Sequence, residues 1–157
     1  MMAPNRLSKA HNSPDAVCLG LITLGTLIIV DKLPETNTGA VPENVKEYLS
    51  DDGVIAALAL KQWGVTSGVI GTKLGRDAAG QKAIRQLTES GVVGSFKMTS
   101  KYRTPLEISI ADKGGNRTYY WDHREEPLST LDEADLSMIE TAKLLYVDWY
   151  DHGHILT

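Results

Sequence analysis

The sequence predicts an α/β fold: a central, mostly parallel sheet flanked by helices, with a small antiparallel β-flap standing off it. Three observations carry this. Short apolar runs alternate with helical segments from residue 16 to residue 92, the texture of βαβ units around a parallel sheet. The block from Ser95 to Trp121 then holds strand-like runs with no helix between them. Within it, Asp112-Lys113-Gly114-Gly115-Asn116 reads as a hairpin turn.

Taken in order, residues 1–14 are rich in Asn, Ser, Pro and Lys and are expected to form a flexible leader before a single domain over 15–157. Ala16 to Thr23 is an unbroken apolar run, as for a strand buried on both faces. Gly25 is expected to interrupt it, with Leu27 to Val30 resuming as a separate segment. Two prolines and a glycine make Asp31 to Pro42 a loop, and Glu43 to Leu49 is expected as a short helix. Ser50-Asp51-Asp52 is placed to cap a helix over Gly53 to Trp63, whose apolar residues lie nearly all round, so it is expected to be buried. Gly64 supplies the residue beyond its end.

Val65 to Ile70 is a further apolar strand, followed by a glycine-punctuated turn. Asp77 then caps a helix over Ala78 to Ser90, with Ala79, Ala83, Ile84 and Leu87 as its apolar stripe and Gly91 as its stop. Flap strands are expected near 26–30, 95–98, 104–111 and 117–121. Leu131 to Ala142 reads as a helix, and Leu144 to Val147 as a last buried strand.

Bulk properties narrow the function. The chain of 157 residues is long enough for one sizeable core. Its net charge of -4, without a Lys/Arg cluster, argues against a nucleic-acid surface. Cys18 is the only cysteine, so no internal disulfide forms; a reducing, cytoplasmic setting and a core thiol are expected. The longest apolar run, Val17 to Val30, is too short to span a bilayer.

Several fragments resemble the ribokinase-like (PfkB) carbohydrate kinases in order and spacing. Ile70, Gly71, Gly75, Asp77 and Gly80 fill the family's strand-to-helix turn, and Gly91-Val92 close the following helix. Val30-Asp31-Lys32-Leu33-Pro34 is similar to the passage from lid strand to loop. Arg103-Thr104-Pro105-Leu106 with Gly115-Asn116-Arg117-Thr118 resembles the flap hairpin, and Leu144-Leu145-Tyr146-Val147-Asp148 resembles the strand ending in L-x-D-G. The resemblance implies the N-terminal part of a sugar kinase. It implies a sugar or polyol substrate, a homodimer formed through the flap, and ATP with Mg only in a complete family member. The chain is apparently truncated, with no G-A-G-D, the family's anion hole and catalytic base, and no Walker or G-x-G-x-x-G motif. No catalytic, cofactor-binding or metal-binding residue is therefore assigned.

The substrate positions depart from the family pattern. Its first-strand Asp falls on Gly25, its Gly-Gly pair near Ser50-Asp51, its helix Asn on Ile55, and the glycine after Asp148 on Trp149. Asp51, Asp52 and Gly53 are the candidate substrate contacts, with Arg103 and Arg117 from the flap. For the aspartates the alternative is simple helix capping, and for the arginines solvated charge. Tyr102, Tyr119, Tyr120 and Trp121 beside those arginines are expected to pack a flap against a partner flap. The Asp148, Asp151, His152 and His154 cluster is weighed as a metal site and set aside, because it sits at a strand end and a frayed terminus. A rival reading is a non-catalytic binding or dimerisation module that kept the fold and lost the chemistry.

Overall fold

The computed structural model describes residues 13–122 and 136–148. The leader up to residue 12, the first part of the expected 131–142 helix, and Asp151, His152 and His154 lie outside them. Two four-stranded sheets organise the described chain. The first runs β5-β4-β1-β8, from Val93–Thr99 (β5), Ser67–Gly75 (β4), Ala16–Leu19 (β1) and Leu144–Val147 (β8). All its pairings are parallel.

This first sheet holds the core. Alternation along β1 sends Cys18 to one face and Val17 and Leu19 to the other. Cys18 joins Val69, Val54 and Ala57 of helix α1 (Asp52–Gln62), and Ala83 and Leu87 of helix α2 (Ala78–Ser90). Val17, Leu19 and Ile70 pack with Met138 and Ile139 of a short helix α3 (Ser137–Glu140). Burial pushes the Cys18 thiol up to about 11, in keeping with a core thiol. β8 is an edge strand: Leu144 and Leu145 remain half exposed, so it is not the buried strand expected.

The second sheet runs β3-β2-β6-β7, from Asn44–Ser50 (β3), Thr23–Val30 (β2), Leu106–Asp112 (β6) and Arg117–Asp122 (β7). Its β2–β3 and β6–β7 pairings are antiparallel, whereas β2–β6 is parallel. The hairpin turn forms as expected, with Asp112 N–H donating to the Asn116 carbonyl at 3.0 Å.

Four expectations are corrected here. Residues 43–49 form no helix; Asn44–Ser50 is a strand because β2 offers a full antiparallel ladder from Thr23↔Ser50 to Ile29↔Asn44. Gly25 does not interrupt: β2 runs through it, and the apolar run breaks instead after Leu19. Ser95 to Met98 belongs to the parallel sheet beside β4, not to the flap. Gly71 and Gly75 lie inside β4, which runs nine buried residues with a register shift between Ile70 and Lys73. Gly71 takes φ 101 there.

Helix α1 is also less buried than its composition suggests. Ile55 is 48% exposed and Trp63 is 77% exposed, while Gly53, Val54 and Ala57 face the sheet. Gly20 and Gly53 let this helix approach β1 closely, since a Cβ on Gly53 would lie 2.7 Å from the Gly20 Cα.

Candidate functional site

One cleft of about 1060 Å³ lies between the first turn of α1 and one face of the second sheet. Strand alternation decides what the sheet contributes. Gly25 pairs with Tyr48 on one side and Glu107 on the other, and Glu107 pairs with Trp121. The next same-face row brings Leu27, Ser109 and Tyr119 together, and the row after it pairs Ala111 with Arg117. Tyr48, Glu107, Trp121, Leu27, Ser109, Tyr119, Ala111 and Arg117 all line the cleft. Asp51, Asp52 and Ile55 form the opposing wall, and Ser50, at the end of β3, belongs to the sheet side.

Glu107 is the hub of the sheet wall. It is 8% exposed and accepts from Tyr48 Oη at 2.5 Å, Trp121 Nε1 at 3.1 Å and Ser50 Oγ at 3.3 Å. Three neutral donors thereby replace the water this carboxylate gave up. Burial, and next its bond to Glu107, push the Tyr48 hydroxyl up to about 12. The Tyr48 ring lies across Gly25, where a Cβ would come within 2.7 Å of Cζ. Any larger residue at position 25 would displace the ring.

Asp51 opens the helix wall in an unusual conformation, φ 87 and ψ 152, a region that glycine adopts readily and other residues rarely. It stands at the N-cap position, yet its side chain does not cap the helix. Instead its carboxylate accepts from the hydroxyl of Thr23, which is fully buried. Asp52 follows in the first turn, where the helix dipole favours a carboxylate. Burial, with Asp52 and Asp148 after it, raises the Tyr146 hydroxyl above its ordinary value. Asp148, which follows β8, lies beside the start of α1: a Cβ on Gly20 would lie 2.8 Å from the Gly53 Cα and 3.1 Å from the Asp148 Cβ.

Of the five candidate substrate contacts, Asp51, Asp52 and Arg117 meet in this cleft; Ile55, Tyr119 and Trp121 line it as well. Gly53 is buried against Gly20, and Arg103 is exposed outside the lining. Sequence reasoning passed over Tyr48 and Glu107. A signal for Glu107 was present: within Leu106–Asp112, Glu107 and Ser109 alternate with Leu106, Ile108 and Ile110, so two polar groups share one face. Among the described residues no group of His, Cys, Asp or Glu is arranged to hold a metal. No helix among them is long and apolar enough to cross a membrane.

No protein-family model and no curated protein matches the chain. Solved structures do. A microbiome-derived acarbose kinase superposes with a TM-score of 0.71 at 18% identity, over 86% of this chain and 45% of its own. A ribokinase from Giardia lamblia gives 0.67 at 14% identity, over 86% and 41%. A carbohydrate kinase from Agrobacterium tumefaciens gives 0.65 at 18% identity, over 85% and 44%. At such identities the likeness is one of fold, and the chain spans less than half the length of these structures. The parallel sheet, its flanking helices and the second sheet facing the start of α1 together are the ribokinase-like fold.

Proposed function

We propose that this chain is the substrate-lid part of a ribokinase-like sugar kinase, holding a sugar or polyol in the cleft between α1 and the second sheet. The supporting observation is the placement of Asp51 and Asp52 at a helix start, facing a sheet wall with Arg117 and aromatic side chains. Carboxylates accept from hydroxyls, and an aromatic wall covers the apolar face of a sugar ring. In the complete protein, bound Mg-ATP would supply the phosphoryl group, held by residues outside this chain. The residues here bind and orient the acceptor and exclude water from it.

Calorimetric titration of the chain tests this. A polyol should bind, and Asp52→Ala should weaken it by about one to two orders of magnitude, the loss of one charge-assisted hydrogen bond or two. Mg-ATP should give no saturable heat. Micromolar ATP affinity in these 157 residues would overturn the assignment.

A second reading is a non-catalytic binding or dimerisation module. The Tyr48 ring over Gly25 and the apolar Ile55 in the cleft favour it, because both stand where the family resemblance implies polar substrate contacts. In either reading the outer face of the second sheet pairs with a second copy. Val45, Leu106, Ile108 and Tyr120 on that face are between 39% and 61% exposed, more apolar surface than isolated strands usually leave in water. A cytoplasmic location fits the lone buried thiol.

A further inference from the structure

We propose that the junction between the two sheets is a second binding site, outside the cleft, for a small anion bearing a phosphate or carboxylate group. Lys101 and Arg103 hold the anion, and Arg76 and Lys73 add positive charge around them. The inference does not depend on the polyol reading. Three observations carry it.

The first is a gathering of charge that the chain as a whole does not show. The net charge is -4, yet residues 67–76 and 92–106 carry five cations and no carboxylate. Backbone contacts join the two segments at the C-terminal ends of β4 and β5. Arg76 N–H donates to the Thr99 carbonyl at 2.8 Å, and a Cβ on Gly75 would lie 2.9 Å from the Tyr102 carbonyl oxygen. Asp77 comes next in the chain, but its carboxylate accepts from Thr104 and Gly80. Ligand sites of parallel sheets form at this end of the strands.

The second is the placement of Lys73. β4 shifts register between Ile70 and Lys73, through Gly71 at φ 101, and such a bulge re-aims the side chains beside it. Lys73 is only 6% exposed, with its ammonium 5.3 Å from the centroid of the Tyr102 ring. Burying an ammonium costs far more than burying an aliphatic side chain of similar length. The strand itself has no need of that charge.

The third is a like charge on the same ring. The Lys101 ammonium lies 5.0 Å from the Tyr102 centroid, and Arg103 follows with its side chain exposed. The backbone on both sides of Tyr102 is anchored: Lys101 N–H donates to Thr99 Oγ1 at 3.0 Å, and Thr104 N–H to Asp77 Oδ2 at 3.0 Å. A fixed turn that presents an ammonium and a guanidinium fork matches the geometry of a phosphate or carboxylate.

The test is an amide NMR titration of the 157-residue chain with inorganic phosphate and with citrate, at constant ionic strength. Saturable shifts should centre on Arg76, Lys101, Tyr102 and Arg103, with a Kd on the order of 1 mM, as for a few partly exposed charge contacts. That is far weaker than the micromolar ATP affinity at stake for the sugar-kinase reading, so either result stands without the other. Tighter binding of phosphate identifies a phosphoryl ligand, and tighter binding of citrate a carboxylate. Lys101→Ala and Arg103→Ala should each weaken binding about threefold, and the double variant about tenfold. Both side chains are exposed, so these variants should fold. Lys32→Ala, which removes a cation paired with Glu35 in the loop after β2, should leave the Kd within about twofold. Shifts that do not saturate, that spread over cations across the molecule, or that persist undiminished in the double variant overturn the proposal.

Discussion

Asp77 and Thr104 are joined by two hydrogen bonds that fasten the second sheet to the first. Thr104 N–H donates to Asp77 Oδ2 at 3.0 Å, and Thr104 Oγ1 donates to Oδ1 at 2.7 Å. The same Oδ1 accepts Gly80 N–H at 2.8 Å and so caps α2, while Gly75 N–H donates to Thr104 Oγ1 at 3.0 Å. One carboxylate thus ties the end of β4, the start of α2 and the entry to β6. The glycines around it are required by space: a Cβ on Gly75 would lie 2.4 Å from Asp77 Oδ2, and one on Gly80 would lie 2.2 Å from the Gly75 carbonyl oxygen.

Asp77→Ala should therefore cost about 2–3 kcal/mol, more than an ordinary cap, because Thr104 loses its acceptor as well. Urea unfolding checks this. Burial pushes the Asp77 carboxyl up, but the bonds from Thr104 and Gly80 outweigh it and hold it below the usual carboxylate range. A depressed folded pKa contributes stability above the unfolded value, and that contribution is lost as pH falls through the folded one. Acid titration of the wild type should show a loss of stability that Asp77→Ala no longer shows.

Gly80→Ala should destabilise by about 1–3 kcal/mol although alanine is the better helix former. Its Cβ meets backbone, which cannot rotate away. A melting temperature equal to or above that of the wild type would show that the β4–α2 junction has room to relax.

Asp51→Gly and Asp51→Ala should differ. Both lose the bond from Thr23, but glycine also removes strain of about 1–3 kcal/mol at φ 87. Its own chain entropy returns roughly 0.5–1 kcal/mol of that. The glycine variant should thus be more stable than the alanine variant by about 1 kcal/mol in chemical denaturation, within these ranges.

Tyr48 gives a signature at high pH. Its folded pKa, about 12, is raised from 10.0. The contribution is complete below the unfolded value and is lost as pH rises from 10.0 towards 12. Cys18, raised from 9.0 to about 11, loses its own share partly in the same window. Tyr48→Phe isolates the tyrosine: the variant should be less stable by about 1–2 kcal/mol at neutral pH, through the donor lost from Glu107, and should fall less steeply above pH 10. Equal slopes for wild type and variant would show that Tyr48 does not titrate with unfolding.

Ile108→Lys should convert a dimer to monomers in sedimentation at micromolar concentration. Ile108 is 43% exposed on the outer face of the second sheet, and a charge there must be desolvated on pairing. A wild-type monomer under these conditions would remove the dimer proposal.

Local chemistry was legible in the sequence because its causes lie close together along the chain. The Asp77 cap, the Gly91 stop with φ 74, the Asp112–Asn116 turn and the alternation of helices with apolar strands each depend on residues within one turn or one strand. They were enough to place the α/β class and the acidic start of α1. What only the tertiary structure decided depends on partners far apart. Asn44–Ser50 holds residues that suit a helix, and it became a strand only because β2 was there to pair with it. The register of that pairing put the Tyr48 ring on Gly25, and the parallel β2–β6 register put Glu107 beside them. Tyr48 and Glu107 are 59 residues apart, and no local pattern encodes their meeting. The cleft wall is a product of strand register: a one-residue slip would turn Glu107, Tyr119 and Trp121 to the other face of the sheet.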